Sequence, residues 1–470
     1  MHAPRSTAAA LVLLATLFAS RIVSQAPAAA PAASSAPLGK AATEALCARF
    51  QAAEHWVQKA VILLSFGTYW HPSGSTAVLA ALRDSDKRLR AFGVETLLRA
   101  DSELLPSVAS GSLVDELVKQ SGDRNAHYRE RVLEALKRIA PDAKATDSGG
   151  WTRWWRASQA TYNAKPWQPR TGGDKQAGGT VAGVADRAFD LYSAGLDLVL
   201  CIDSTGSMQP TIDALAAALD QLVDILGGIS PKLRLGIVHY KDSGELGKTG
   251  AKLIQALARN VKVARDKLLK LRAFGGGDLP EAVAGGLELA LSRRLGWNPD
   301  ANKLVVVIGD APPHEPDVAK AIDLAKRGFT NPDSVSGSNQ PVTGPRRKQR
   351  PFLTSAIGVV LDLPPAFRSR PGYGEFTASQ KRMQETFAEL AKAGGGVYET
   401  VRFKVRAGPP SAKERKERKK NKGAVDPAAA RATHSIAEHV LVLTFGARFA
   451  AEMKALVKIY FDYKNAGLFS

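Results

Sequence analysis

Cysteine is almost missing from this chain: Cys47 and Cys201 are the only two in 470 residues. A disulfide-stapled scaffold is therefore excluded. Cys201 falls inside a long apolar stretch and Cys47 far upstream in a helical one, so both read as small buried hydrophobes, not as a bridge. No His and Cys cluster has zinc-like spacing, which argues against a soft-metal centre. Beyond the first 25 residues no apolar run is long enough to span a bilayer. There is no phosphate loop with its Lys, no G-x-S-x-G elbow and no HExxH, so the usual nucleotide, acyl-transfer and zinc-protease chemistries lack their residues. Acidic residues are outnumbered, 45 against 64 Lys and Arg, giving a net charge of +19 and a pI near 9.8. Such a balance can serve nucleic acid. Here the basic residues are spread widely and no RNA-binding signature accompanies them, so anionic envelope polymers, lipid headgroups or plain solvation of the surface fit the charge better.

What is present is organised around Leu196 to Met208. Leu196, Leu198, Val199, Leu200 and Ile202 form an almost unbroken apolar run that stops at Asp203-Ser204-Thr205-Gly206-Ser207. That is the pattern of a buried parallel strand opening into a polar loop. Ile212, Leu215, Ala216, Leu219, Leu222, Val223 and Leu226 then recur at helical spacing, with Pro210 in the first turn where it is tolerated. A strand, an oxygen-rich loop and a helix begin a doubly wound α/β domain, in which ligands bind beyond the carboxyl ends of the strands. Hard divalent cations want about six oxygens, and Asp203, Thr205, Ser207, Asp278 and Asp310 supply a suitable set.

Asp203-x-Thr205-x-Ser207 resembles the metal-ion-dependent adhesion motif of von Willebrand factor type A domains, with Thr in place of the first Ser. Ala273-Phe-Gly-Gly-Gly-Asp278-Leu-Pro-Glu281 resembles the Gly-rich loop where that family supplies a Thr ligand. Leu304 to Asp310, followed by Ala-Pro-Pro-His314, resembles its fourth strand and terminal Asp. The resemblance implies a six-stranded, mostly parallel sheet flanked by helices and a bound Mg²⁺, or Mn²⁺ or Ca²⁺, whose shell an acidic partner completes. Asp278 departs from the pattern by adding a carboxylate, which lowers the residual positive charge on a cation. Its surroundings, Asp-Leu-Pro-Glu281, also have the form of a helix capping box.

Taken from its start, the chain reads as a secretory signal peptide over residues 1–25, an Ala/Pro tether over 26–39 and an all-α, solenoid-like domain over 40–162. Two helix–turn–helix stretches around Asp86 and Asp123 echo each other, which resembles HEAT-type repeats, and Trp151, Trp154 and Trp155 cap the last of them. Residues 163–190 have the composition of a linker. The α/β domain follows over 191–405 with a polar insertion at 328–350, then a basic segment at 406–431, and 432–470 read as a terminal helix docked back on the α/β domain. The functional expectation is an exported, non-enzymatic interaction protein of the periplasm, envelope or outside. Its partner is a protein or an acidic envelope polymer; nucleic acid is not expected, and contact with a membrane surface is compatible with the charge. A scaffold whose metal only stabilises the fold is the alternative. Metal-assisted hydrolysis lacks a well-placed general base beyond His239 or His314.

Overall fold

The computed structural model describes residues 37–169, 177–242, 244–276, 279–335, 349–404 and 427–469. The expected signal peptide, almost all of the tether, Asp278, most of the polar insertion and nearly all of the basic segment lie outside the described residues. The chain forms two units, one built on Leu191–Ala447 and one on the residues up to Asp190 together with Arg448–Ser470.

In the first unit six strands, β1 (Leu196–Asp203), β2 (Arg234–Tyr240), β3 (Ala251–Ala258), β4 (Asn302–Gly309), β5 (Phe352–Asp362) and β6 (Gly395–Lys404), form one sheet in the order β3-β2-β1-β4-β5-β6. All neighbours are parallel except β3, which runs antiparallel to β2 at the edge. Every residue of β1 and β4 is buried. Their near-continuous apolar sequences follow from that position, since a central parallel strand has helices on both faces and no solvent side. Val199 and Cys201 enter one core with Leu287, Leu324, Phe387 and their neighbours, from the helices Val283–Leu291, Val318–Thr330 and Tyr373–Ala393. The alternate residues Leu198, Leu200 and Ile202 point to the other face. There the helix Gln209–Ile229 packs with Val261–Lys270 and Pro427–Phe445.

This topology positions the site. The chain leaves β1 and reaches β2 on one side, while β4 lies on the other, so the loops after β1 and β4 diverge and leave a crevice at their carboxyl ends. The sheet and its flanking helices agree with the sequence reading.

The second unit is helical, from Lys40–Ala52 through Ser148–Ser158 and Ala177–Ala194 to Ala450–Asn465. Its turns are drawn where Asp86, Ser110, Asn125 and Asp147 accept hydrogen bonds from the first free amides of the helices they precede, the preferred residue types for that task. Trp151 and Trp155 are buried, and the Trp155 indole donates to Asp115 at 3.0 Å. Asn125→Ala removes an acceptor for the Tyr128 amide at 3.0 Å and a donor to the Ala466 carbonyl at 2.8 Å. We expect it to lower stability by about 1 kcal/mol, read as a shifted denaturant midpoint at unchanged m-value.

The structure departs from the sequence reading at three places. Residues 177–190, read as linker, belong to the helix Ala177–Ala194; the Gly and Lys content hid an apolar stripe at Val184, Ala188 and Leu191, all buried. The expected insertion begins later than 328, because Gly328 to Thr330 complete the helix Val318–Thr330. The C-terminal region is not one helix on the α/β domain. Pro427–Phe445 packs there, against Gln209–Ile229 and β6, but Ala450–Asn465 packs on Trp56–Ser65 and Lys87–Arg99 of the helical unit. Gly446, at φ 102°, makes the break between them in a backbone region that favours glycine.

Candidate metal centre

β1 ends in Asp203, which is wholly buried. The chain turns at once, and both the amide and the hydroxyl of Thr205 donate to Asp203 Oδ1 at 2.8 Å. Asp203 Oδ2 is buried and meets no amide or hydroxyl donor. The adjacent strand β4 brings Asp310, one residue past its end, to the same place; it is 9% exposed, and the Ser207 hydroxyl and the Asp203 carboxyl hydrogen-bond to it. Burial holds the Asp203 carboxyl well above the usual carboxylate range, and the charge of Asp310 pushes it further. Burial raises Asp310 as well, against the hydrogen bond from Ser207. Two desolvated carboxylates side by side cannot both stay ionised without a counter-charge, so the pair retains protons.

The loop between them is fixed by contacts that extend the sheet. The Ser204 amide donates to the Tyr240 carbonyl at 3.0 Å, and the Ser204 hydroxyl meets His239 Nδ1 at 2.9 Å. Burial first, then the charges of Lys241 and Lys252, push the His239 pKa down to about 4. That ring is therefore neutral at pH 7, and the Ser204 hydroxyl also reaches the Tyr240 carbonyl at 3.2 Å. Tyr240 donates to the Ile308 carbonyl at 3.2 Å, tying β2 to β4 beneath the carboxylates.

Asp203, Thr205, Ser207 and Asp310 are thus brought together, while Asp278 lies outside the described residues. Its neighbours are informative. The helix after it begins only at Val283, and Ala282, the residue before it, offers no side-chain cap. Glu281 is instead buried, its amide donating to the Pro312 carbonyl at 2.9 Å across to the loop after β4. His314, which follows that loop, contacts Asp242 at 3.1 Å and faces no reacting group.

Two residues that the sequence reading did not single out hold the Gly-rich loop. Lys241, directly after β2, is 1% exposed; its ammonium donates to the Phe274 carbonyl at 2.5 Å and pairs with Glu245 at 3.4 Å. Glu245 in turn accepts the Gly276 amide at 2.9 Å. Gly275, at φ 77°, lies in the left-handed region that favours glycine, and an added Cβ would lie 2.3 Å from the Glu245 carboxylate, which would have to shift. Nothing in the local sequence marks a lysine after a strand as buried.

The donor set is all oxygen, two carboxylates and two hydroxyls, which suits Mg²⁺ or another hard cation. Among the described residues no group of three His, Cys, Asp or Glu gathers in metal-binding geometry. Hydroxyls, water and a partner's oxygen would have to complete the shell. The titration of the pair gives a testable sign. Both folded-state pKa values are raised, so in chelator the stability they contribute is present below the ordinary carboxylate pKa and is lost as pH rises through the raised values. A divalent cation replaces those protons. The melting gain from Mg²⁺ should therefore widen between pH 5 and pH 8; a gain independent of pH would contradict this assignment.

Residues 197–336 match the family "von Willebrand factor type A domain". Over 138 residues the chain is 30% identical to the alpha-protein kinase vwkA of Dictyostelium discoideum, covering 29% of this chain and 21% of that protein. The chain thus spans about a fifth of that relative's length. Among solved structures it is similar to BatB from Bacteroides thetaiotaomicron, at 16% identity and TM-score 0.28 over 51% of this chain and 98% of that one. It is also similar to the pilus adhesin SpaC from Lactobacillus rhamnosus GG, at 11% identity and TM-score 0.31 over 52% of this chain and 30% of that one. Sheet order, site position and family match together identify residues 197–336 as a von Willebrand factor type A domain.

Proposed function

We propose that this chain is an exported, non-enzymatic interaction protein whose α/β domain holds a divalent cation, Mg²⁺ or else Mn²⁺ or Ca²⁺, and binds a protein partner through it. The observation that carries this reading is the buried pair Asp203 and Asp310, two carboxyl groups in hydrogen-bond contact with each other, in which Asp203 Oδ2 meets no amide or hydroxyl donor. Such a pair keeps protons unless a cation takes their place. Asp203 and Asp310 would supply the charge, Thr205 and Ser207 the hydroxyl oxygens, and Asp278 a further carboxylate from the Gly-rich loop. When bound, the cation supplies an electrophilic position that an acidic group of a partner can occupy. The chain's own residues hold the loop rigid: Ser204 through His239 and Tyr240, the Gly-rich loop through Lys241 and Glu245.

Among the described residues the His239 ring is engaged by Ser204 and His314 by Asp242, which supports binding over hydrolysis. Export rests on residues 1–25, whose charged start and short apolar core have the form of a signal peptide. The helical unit, with its HEAT-like echo, offers a second binding surface, and an acidic envelope polymer or membrane surface is the alternative partner. The test is capture from envelope extract on the immobilised chain in Mg²⁺ and in chelator, with the fold followed by circular dichroism. Retention in Mg²⁺ and release in chelator, with the fold intact, is the expected result. Retention in both would leave the site a structural one.

A further inference from the structure

We infer that Phe274 is an aromatic anchor at the rim of this site, so that the partner is a protein segment with an apolar side chain next to its carboxylate, not an acidic polysaccharide. The inference rests on the cation-dependent binding proposed above and adds the chemistry of the occupant.

Phe274 is 65% exposed, whereas the other large exposed hydrophobics among the described residues reach at most 40%. Burying a phenyl ring is favourable in proportion to the area removed from water. A ring left this open therefore adds little to the fold. Nor is it loosely attached. The Phe274 amide donates to the Ser204 carbonyl at 3.3 Å, between two of the oxygen-bearing residues of the β1 loop. Its carbonyl accepts the Lys241 ammonium at 2.5 Å, and that same ammonium lies 3.1 Å from the ring centroid. Held from three sides, the ring is presented at little further entropic cost, the condition under which aromatic residues dominate binding energy.

Gly276, at φ 92°, sits where an added Cβ would lie 3.3 Å from Thr205 Cβ, so the backbone hugs the metal ligands and Phe274 is the bulky side chain beside them. Charge decides the occupant. An ammonium beneath the ring draws its π-electron density inward and removes the attraction that its outer face would otherwise have for a Lys or Arg. The outer face then suits aliphatic carbon and tolerates a nearby carboxylate, the group that the cation site selects. A sugar acid polymer offers the ring only the small C–H patch of a pyranose face, less apolar area than an aliphatic side chain buries.

The experiment uses the full chain in Mg²⁺ and three fluorescent probes. These are the peptides Gly-Ser-Leu-Asp-Gly-Ser and Gly-Ser-Ser-Asp-Gly-Ser, and polygalacturonate, titrated against wild type and the Phe274→Ala variant. Wild type should bind the Leu peptide about tenfold tighter than the Ser peptide and tighter per site than polygalacturonate. In Phe274→Ala the preference for Leu should vanish. Equal affinity for the two peptides, a preference for polygalacturonate, an unchanged Leu preference in Phe274→Ala, or no binding of any probe would each overturn the inference. The wild-type melting shift with Mg²⁺, recorded on the same sample, separates the two readings. If the shift is present and the Leu preference absent, Phe274 is wrongly assigned; if the shift itself is absent, the cation-dependent reading has failed.

Discussion

Asp203→Ala should abolish the rise in melting temperature that Mg²⁺ gives the native chain. A ligand that binds only the folded state stabilises it by RT ln(1 + [L]/Kd), so Mg²⁺ at about a hundredfold over its dissociation constant adds roughly 2.7 kcal/mol. For a unit of this size that is roughly 5–10 °C. Asp203 carries the effect because its Oδ2 is buried, meets no amide or hydroxyl donor and lies against the second carboxyl, Asp310. Removing it also removes the acceptor for the Thr205 amide and hydroxyl, so the variant should be somewhat less stable in chelator too. Asp310→Asn separates the causes. It keeps the shape and an acceptor for Ser207 but relieves the repulsion that helps raise the Asp203 pKa. It should therefore be at least as stable as wild type in chelator and gain nothing from Mg²⁺. Differential scanning calorimetry of the three proteins, with and without metal, reads all of this. A full Mg²⁺ shift surviving in either variant would remove the assigned ligands.

Glu95→Ala should be a strongly destabilising change in the helical unit. Glu95 is 8% exposed and takes two hydrogen bonds from Arg131 at 2.7 Å each and one from Tyr463 at 2.7 Å. Tyr463 belongs to the helix Ala450–Asn465, so this carboxylate joins the C-terminal helix to Lys87–Arg99 and Ala126–Ile139. Burial and the neighbouring Glu95 charge hold the Tyr463 hydroxyl far above its ordinary pKa, and the hydrogen bond to Glu95 raises Arg131. Deleting the carboxylate strands one buried hydroxyl and one guanidinium that keeps only Glu134. Lost partners of this kind cost about 2–3 kcal/mol here, less than for a fully buried charge because the Arg131 side chain is 30% exposed. Hydrogen exchange should show Ala450–Asn465 losing protection first. Glu95→Gln, which keeps one acceptor, should lose less. Unchanged protection of that helix in Glu95→Ala would refute the account.

The parts of the fold that were legible in the sequence are those whose residues serve one demand. Leu196 to Ile202 and Leu304 to Ile308 are apolar throughout because both faces of a central strand are covered, and that pattern has no other reading of comparable strength. Asp203, Thr205 and Ser207 stood out because they alternate directly after such a strand, and the structure brings them together with Asp310. What remained hidden depends on which loops converge. Lys241 looks like an ordinary solvated lysine until β2 is seen to deliver it beneath the Gly-rich loop, where Glu245 and the Phe274 carbonyl take its charge. Asp242 and His314 meet only because β2 and β4 flank β1. The apolar stripe of Ala450–Asn465 likewise says that a face is buried but not against what. Its pairing with the helical unit rests on Tyr463 and on Tyr460, whose ring stacks with Trp56 at 5.7 Å, distant in the chain and silent in its local pattern.

The most direct test of the central claim is a crystal of the Mn²⁺-loaded chain measured at the manganese absorption edge. The account predicts one anomalous peak at the carboxyl ends of β1 and β4, about 2.1 Å from carboxylate oxygens of Asp203 and Asp310, with the Thr205 and Ser207 hydroxyls in or next to its shell. No peak there at millimolar Mn²⁺, with Asp203 Oδ2 meeting a protein donor in its place, would contradict it.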